Sequence, residues 1–170
     1  MDNIISESGM NFVADNAFYI EKCLSYENIK SDGIKSVEFI RAKDDKLLFI
    51  EAKKTFPNPG NPAADNPTIF QSEIDKICDK FKHSLNLYSS IAVGAANESF
   101  PADFKPADKV SLVLVLVIKD HEPQWCKPVK TKLLKTLPPY LKKIWKPKVY
   151  VINHITATEQ RLTTQCNKGK

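Results

Sequence analysis

Residues 35–56, KSVEFIRAKDDKLLFIEAKKTF, read as two strands joined by a charged turn. Val37, Phe39 and Ile40 supply the apolar content of the first strand, and Leu47 to Ile50 that of the second. Lys43-Asp44-Asp45-Lys46 between them is wholly charged and is the natural place to reverse. With the turn centred on Asp44-Asp45, Glu38 faces Glu51, Ile40 faces Phe49 and Ser36 faces Lys53. Side chains alternate along a strand, so Glu51 and Lys53 share a face and Ala52 points the other way. Like charges directly opposite one another destabilise a hairpin. Two carboxylates and an ammonium converging at the end of an apolar strand therefore call for a reason, and a divalent cation supplies one. The reading depends on parity, because a slip of one residue sends Glu38 to the other face.

The remainder of the chain bounds what such a site can belong to. At 170 residues a single domain, 1–170, is expected, with enough length for a real core. The net charge of +5 is mildly basic, which permits a nucleic-acid partner without demanding one. Cys23, Cys78, Cys126 and Cys166 are scattered with no CxxC pair, and reduced thiols in a cytoplasm are the expectation. His83, His121 and His154 are equally dispersed, so the spacing gives no zinc site. The start, MDNIISESGM, lacks the basic and apolar regions of a signal peptide. The longest apolar run, Leu112 to Ile118, is far below the ~20 residues of a membrane helix.

Taken in order, Val13, Ala17, Ile20 and Leu24 recur at helical spacing and predict a helix over 12–24. Glu21 beside that stripe reads either as a solvated helix carboxylate or as a further acid near the hairpin, and Glu7 is a second candidate for that role. Residues 56–67, with four prolines, form a long loop that is either a connector or a substrate-contacting flap. Phe70, Ile74, Ile77, Phe81, Leu85, Tyr88 and Ile91 predict a helix over 68–91, in which Cys78 and His83 are packing residues. Val110 to Ile118 is apolar almost throughout, as in a strand covered on both faces. Asp120-His121-Glu122-Pro123 after it reads as a solvated turn, with a metal-binding cluster as the alternative. Residues 127–148 carry eight lysines and no acid over a stripe of Leu133, Leu134, Leu137, Leu141, Ile144 and Trp145. Pro138-Pro139 divides that segment into two short helical pieces. Its lysines read as a solvated face, a phosphate-tracking surface or a contact for an acidic protein. A strand over 148–155 and a polar tail over 156–170 complete the chain.

The order helix, strand, strand, helix, strand, broken helix, strand, with Glu38 in SVEFI and Glu51-Ala52-Lys53 in LLFIEAKK, resembles the PD-(D/E)xK nuclease superfamily. These are the restriction-endonuclease-like proteins, which include Holliday-junction resolvases. Two other acid-x-Lys triplets, Asp44-Asp45-Lys46 and Asp103-Phe104-Lys105, lack an apolar strand with an acid opposite. The chain departs from the family pattern in having Glu at position 38, where Asp is commoner, with no proline before it. The resemblance implies an α+β fold with a central mixed β-sheet flanked by helices, in αβββαβ order with a C-terminal strand. It implies catalytic Glu38, Glu51 and Lys53, with Glu21 or Glu7 as the family's additional acid. Mg²⁺ or Mn²⁺ would be held by Glu38 and Glu51, and the reaction would be hydrolysis of phosphodiester bonds in nucleic acid, DNA being the expected polymer. The partner would be engaged through Lys127–Lys148, with no membrane involved, and the oligomeric state is left open. A non-catalytic nucleic-acid- or protein-binding module on the same fold is the alternative, followed by an unrelated α/β protein with a chance hairpin.

Overall fold

The computed structural model describes residues 3–58 and 67–164. The charged turn at Asp44-Asp45 closes a hairpin of β4 (Phe39–Lys43) and β5 (Lys46–Lys53). Its register pairs Phe39 with Ile50, Ile40 with Phe49 and Lys43 with Lys46, the register that the turn implies. Asp44 takes a left-handed φ of 52°, which Asp tolerates better than most residues. β5 then pairs in parallel with β6 (Ser111–Ile118), and β6 with β7 (Lys148–Asn153). A two-residue β3 (Ala17–Phe18) flanks β4, so the sheet runs β3-β4-β5-β6-β7. The fold is mixed α/β.

Both faces of β6 are covered, as its uninterrupted apolar run requires. Leu112, Leu114, Leu116 and Ile118 pack with Ile74, Ile77, Phe81 and Leu85 of α2 (Pro67–Ala92) and Val129 and Leu133 of α3 (Pro123–Thr136). Val113, Val115 and Val117 pack on the other side with Ile5, Met10, Phe12, Ala157 and Leu162. That second layer is a hairpin of β1 (Ile4–Glu7) and β2 (Met10–Val13), with α4 (His154–Glu159). The same parity runs through the neighbours: Ile40, Ala42, Leu47 and Phe49 face the α2 layer, and Phe39, Leu48, Ile50 and Ala52 face the hairpin layer. Glu38, Glu51 and Lys53 therefore share the parity of the α2 side.

The helix expected over 12–24 is not formed. Met10 and Phe12 are buried at strand spacing, Phe12 lies edge-on to Phe39 with ring centroids 5.4 Å apart, and Asn16 takes φ 53°. A 3₁₀ turn at Ile20–Lys22 and a short α1 (Leu24–Ile29) follow. Leu24, assigned to the apolar stripe, is 64% exposed. Tertiary pairing to the sheet thus overrides a weak helical periodicity. At the other end the last strand stops at Asn153, whose side chain accepts a hydrogen bond from Thr156 N at 3.0 Å and caps α4. The tail expected to be polar is helical as far as Glu159. Within the basic segment, α3 ends at Thr136 because Leu137 precedes Pro138 and is forced out of the α region (ψ 135°). A π-turn over Leu141–Trp145 follows. Most of the proline-rich loop, 59–66, lies outside the described residues.

The segment entering β4 is tied to α2 by side chains. Val37 N donates to Ser84 Oγ at 2.8 Å, Lys35 N to His83 Nδ1 at 3.0 Å, and Lys35 Nζ contacts Asp79 at 3.2 Å. Ser84 and Val37 have no exposed surface, so this backbone donor has no water to turn to. Ser84→Ala is expected to cost about 1–3 kcal/mol in urea unfolding, the penalty for a buried donor left unpaired. Ser90→Ala, which removes a hydroxyl bonded to Leu87 O within its own helix, should cost less. Equal losses for the two variants would remove Ser84 from its role as an anchor.

Candidate active site

Glu51 sits near the end of β5, on the α2 side, where Lys80 meets it. None of its surface is exposed. Lys80 of α2 donates to its Oε2 at 3.0 Å. The same ammonium is 2.8 Å from Glu51 Oε1 and 3.8 Å from Glu38 Oε1. Lys53, two residues along β5, places its Nζ 3.5 Å from Glu51 Oε1. Both ammonium groups thus converge on Oε1, which is buried and is met by charge without a well-aligned hydrogen bond.

Glu38 lies just before β4, outside the paired register, which ends at Phe39 and Ile50. Its N–H donates to Ile50 O at 3.1 Å, so the expected pairing of Glu38 with Glu51 is not formed, and it is Lys80 that the two carboxylates share. Glu21, on the 3₁₀ turn, is brought to Glu38 by a backbone contact from Glu21 N to Glu38 O of 3.4 Å. Glu7 arrives from the β1–β2 turn. Ser8 Oγ donates to Ala52 O at 3.1 Å, and this anchors the turn over the end of β5. Gly9 in the same turn takes φ 73°, and a Cβ there would stand 2.8 Å from Lys119 Nζ. Carboxylate oxygens of Glu7, Glu21 and Glu38 fall within 4.8 Å of one another. The structure therefore brings together both candidates for the additional acid, Glu21 and Glu7. Glu51 stands beside this group, bound to Lys80, and is not one of its three members.

The crowding is visible in the proton affinities. Burial, a hydrogen bond with Glu21 and the charge of Glu51 push the Glu38 carboxyl up to about 9, against the pull of Lys80. Burial, then the charge of Glu21, also raises Glu7. Burial raises Glu51, with Lys80 and Lys53 opposing. For Lys80 burial acts downward, but Glu51, then Glu38 and Glu21, outweigh it and hold the ammonium above its ordinary range.

Lys80 and Ser84 are the residues that the sequence reading missed. Lys80 is three residues after Ile77 and four before Ser84, so both lie on or beside the apolar face of α2. Neither interrupts the run of Phe70, Ile74, Ile77, Phe81 and Leu85, so the helical pattern alone did not mark them. His83 accepts a backbone hydrogen bond, and Cys78 is a buried free thiol, each in a packing role. His121, expected in a solvated turn, is buried edge-on to Trp125 with centroids 5.3 Å apart. The leucine stripe of the basic segment is divided: Leu133, Leu137 and Leu141 are buried, but Leu134, Ile144 and Trp145 are exposed. No helix among the described residues is long and apolar enough to cross a membrane. No family model, curated protein or solved structure matches this chain, so the chemistry of the site rests on its own geometry.

A carboxyl whose pKa is higher folded than unfolded stabilises the fold below its unfolded pKa, near 4.5, and loses that contribution as pH rises through the folded value near 9. Glu7 and Glu51 carry the same sign. With chelator present, the melting temperature should therefore fall between pH 6 and pH 9, and Glu38→Gln should flatten that slope. Mn²⁺ should restore the loss at pH 8 in the wild type and do so less in Glu38→Gln. A wild-type profile flat in pH and blind to Mn²⁺ would mean that these carboxylates are not crowded.

Proposed function

We propose that this chain is a metal-dependent phosphodiesterase acting on nucleic acid, DNA being the expected polymer, in the manner of the PD-(D/E)xK nucleases. The observation that carries the reading is the gathering of Glu7, Glu21, Glu38 and Glu51, with Lys53 and Lys80, at one end of a buried strand. The carboxylates of Glu7, Glu21 and Glu38 are all hard oxygen donors, which suits Mg²⁺ or Mn²⁺, and their oxygens within 4.8 Å of one another support the fit. Glu7, Glu21 and Glu38 would hold the ion with Glu51 at its side, and the ion, when bound, supplies Lewis acidity to a phosphate oxygen and lowers the pKa of a water.

The chain's own residues divide the remaining work. Lys80 is held by both Glu51 oxygens and is a structural cation. Lys53 is the freer one, partly exposed and 3.5 Å from Glu51, and a fixed ammonium there stabilises charge that builds on a phosphate under attack. Glu51 orients Lys53. The lysines of 127–148 supply phosphate contacts remote from the chemistry. Buried free thiols at Cys23, Cys78 and Cys126 fit a reducing compartment, and the cytoplasm is the proposed location.

Lys80 also favours a second reading. Its ammonium already stands between Glu38 and Glu51, as an internal counter-ion would in a non-catalytic binding module on the same fold. Supercoiled, linear, branched and single-stranded substrates, each with Mn²⁺ and with EDTA, separate the two. Cleavage that requires the metal is expected. Lys53→Ala should lower its rate roughly 10²-fold or more, by analogy with loss of one oxyanion donor. Lys54→Ala is the control, since that exposed side chain follows Lys53 with opposite parity. Binding without cleavage under any divalent metal, and without a Mn²⁺-dependent melting shift, would hand the site to the second reading.

A further inference from the structure

Between α3 and β7 the chain exposes apolar side chains in its most basic stretch. Ile144 is 74% exposed and Trp145 43%, and both stand on the π-turn with Lys142, Lys143 and Lys146 around them. No acid occurs between Glu122 and Glu159. Leu141, at the start of the turn, is fully buried and fixes it to the core. Lys142 is also held, donating to Leu134 O at 3.3 Å, whereas Lys143 and Lys146 are exposed. Lys146 takes φ 47° and ψ 51°, a left-handed conformation that costs a non-glycine residue about 1–2 kcal/mol. Pro147 follows it and disfavours helical geometry further. The turn thus keeps two large apolar groups in water at some cost in backbone energy.

We infer that this turn is a platform for single-stranded nucleic acid, on which Trp145 stacks with an unpaired base, Ile144 packs beside it, and Lys143 and Lys146 contact the flanking phosphates. Charge complementarity selects a polyanion. The exposed indole selects a polyanion with flat apolar faces, since every base has one and stacking on an aromatic side chain is sequence-tolerant. Paired bases are stacked on one another and offer no free face without the cost of opening the duplex. An anionic membrane is the poorer match, because surface-bound helices present a long apolar face and this turn is five residues. The platform stands at the opposite end of the sheet from the carboxylates: Lys148 opens β7 opposite Val113, whereas Glu51 pairs with Leu116 further along β6. It therefore acts on binding. It rests on the reading of the chain as a nucleic-acid protein, but not on cleavage.

The test is fluorescence anisotropy in EDTA with a labelled single strand and a duplex, across a salt series. Trp145→Ala should weaken single-strand binding about tenfold, within the range for one stacked base, and leave duplex binding and the salt slope unchanged. Lys143→Gln with Lys146→Gln should weaken both ligands and flatten the slope. Phosphatidylserine vesicles are the third arm. Equal loss on both nucleic acids, no loss on the single strand, or Trp145-dependent binding to vesicles alone would each overturn the platform. Trp145-dependent binding by a protein that cuts nothing would leave the platform standing and remove the nuclease reading. Cleavage indifferent to Trp145, with unchanged single-strand affinity, would do the reverse. Unfolding of Trp145→Ala by urea, matched to wild type, shows that the loss is local, and Trp145→Phe should recover most of the affinity.

Discussion

The ion pair between Glu51 and Lys80 is the constraint to which the rest of this fold answers. A carboxylate with no exposed surface is tolerable only with a cation and hydrogen bonds beside it, and removing one partner of such a pair typically costs about 3–5 kcal/mol. The cation has to come from the layer that covers that face of the sheet, and α2 supplies it. Two further features set its position. Asp79, His83 and Ser84 bind the strand-entry segment on either side of Lys80, so the helix cannot slide without losing the contacts of Lys35 and Val37. Phe81, Ile77 and Ile74 seat the same helix against β6. The ion pair is thus fixed by packing and by hydrogen bonds that lie outside it.

This arrangement also explains why a hairpin occupies the place expected for a first helix. The second face of β6 needs cover from end to end, and β1–β2 gives it with Ile5, Met10 and Phe12. Its tight turn then overhangs the end of β5, where Ser8 bonds to Ala52 O. Glu7 is carried into the acidic group as the residue before that turn. The layer that closes the core on one face therefore delivers a carboxylate to the other.

What could be read in the residues follows from what each pattern encodes. The hairpin register was legible, because a wholly charged turn and period-two alternation determine which side chains share a face. β6, α2 and the break before Pro138 were legible for similar reasons: an unbroken apolar run, a continuous helical face, and the steric restriction on the residue before proline. The segment over 12–24 was not, since Val13, Ala17, Ile20 and Leu24 match helical spacing by coincidence while Met10 and Phe12 match strand spacing. Four residues cannot decide between periods, and the sheet decided. Glu38, Glu51 and Lys53 could be singled out from local parity alone. Lys80 could not, because its role depends on how a distant helix is rotated over the sheet, and Glu7 depends on a hairpin that the local pattern hides.

Charge balance is where the proposed metal site differs from a simple buried ion pair. If Lys80 existed only to neutralise Glu51, the pair would be complete, and Lys53 would be surplus beside it. Instead three more carboxylates approach from three different elements, Glu7 from β1, Glu21 from the 3₁₀ turn and Glu38 from the edge of β4. Lys80 and Lys53 stand against Glu51, and Lys22 and then Lys80 act on Glu7, so the four carboxylates are met by cations only in part. Burial, then the hydrogen bond with Glu21 and the charge of Glu51, push the Glu38 carboxyl well above the usual carboxylate range. A proton is a poor substitute in water at neutral pH, since each one kept against its ordinary pKa costs stability that packing has to offset. In the proposed reading a divalent cation would carry that charge in one species, and such ions prefer the same hard oxygens. Glu7 and Glu21 come from separate elements and are only half-buried, yet their oxygens lie within 4.8 Å of one another and of Glu38, and like charges held that close oppose the fold unless a proton or a cation stands between them.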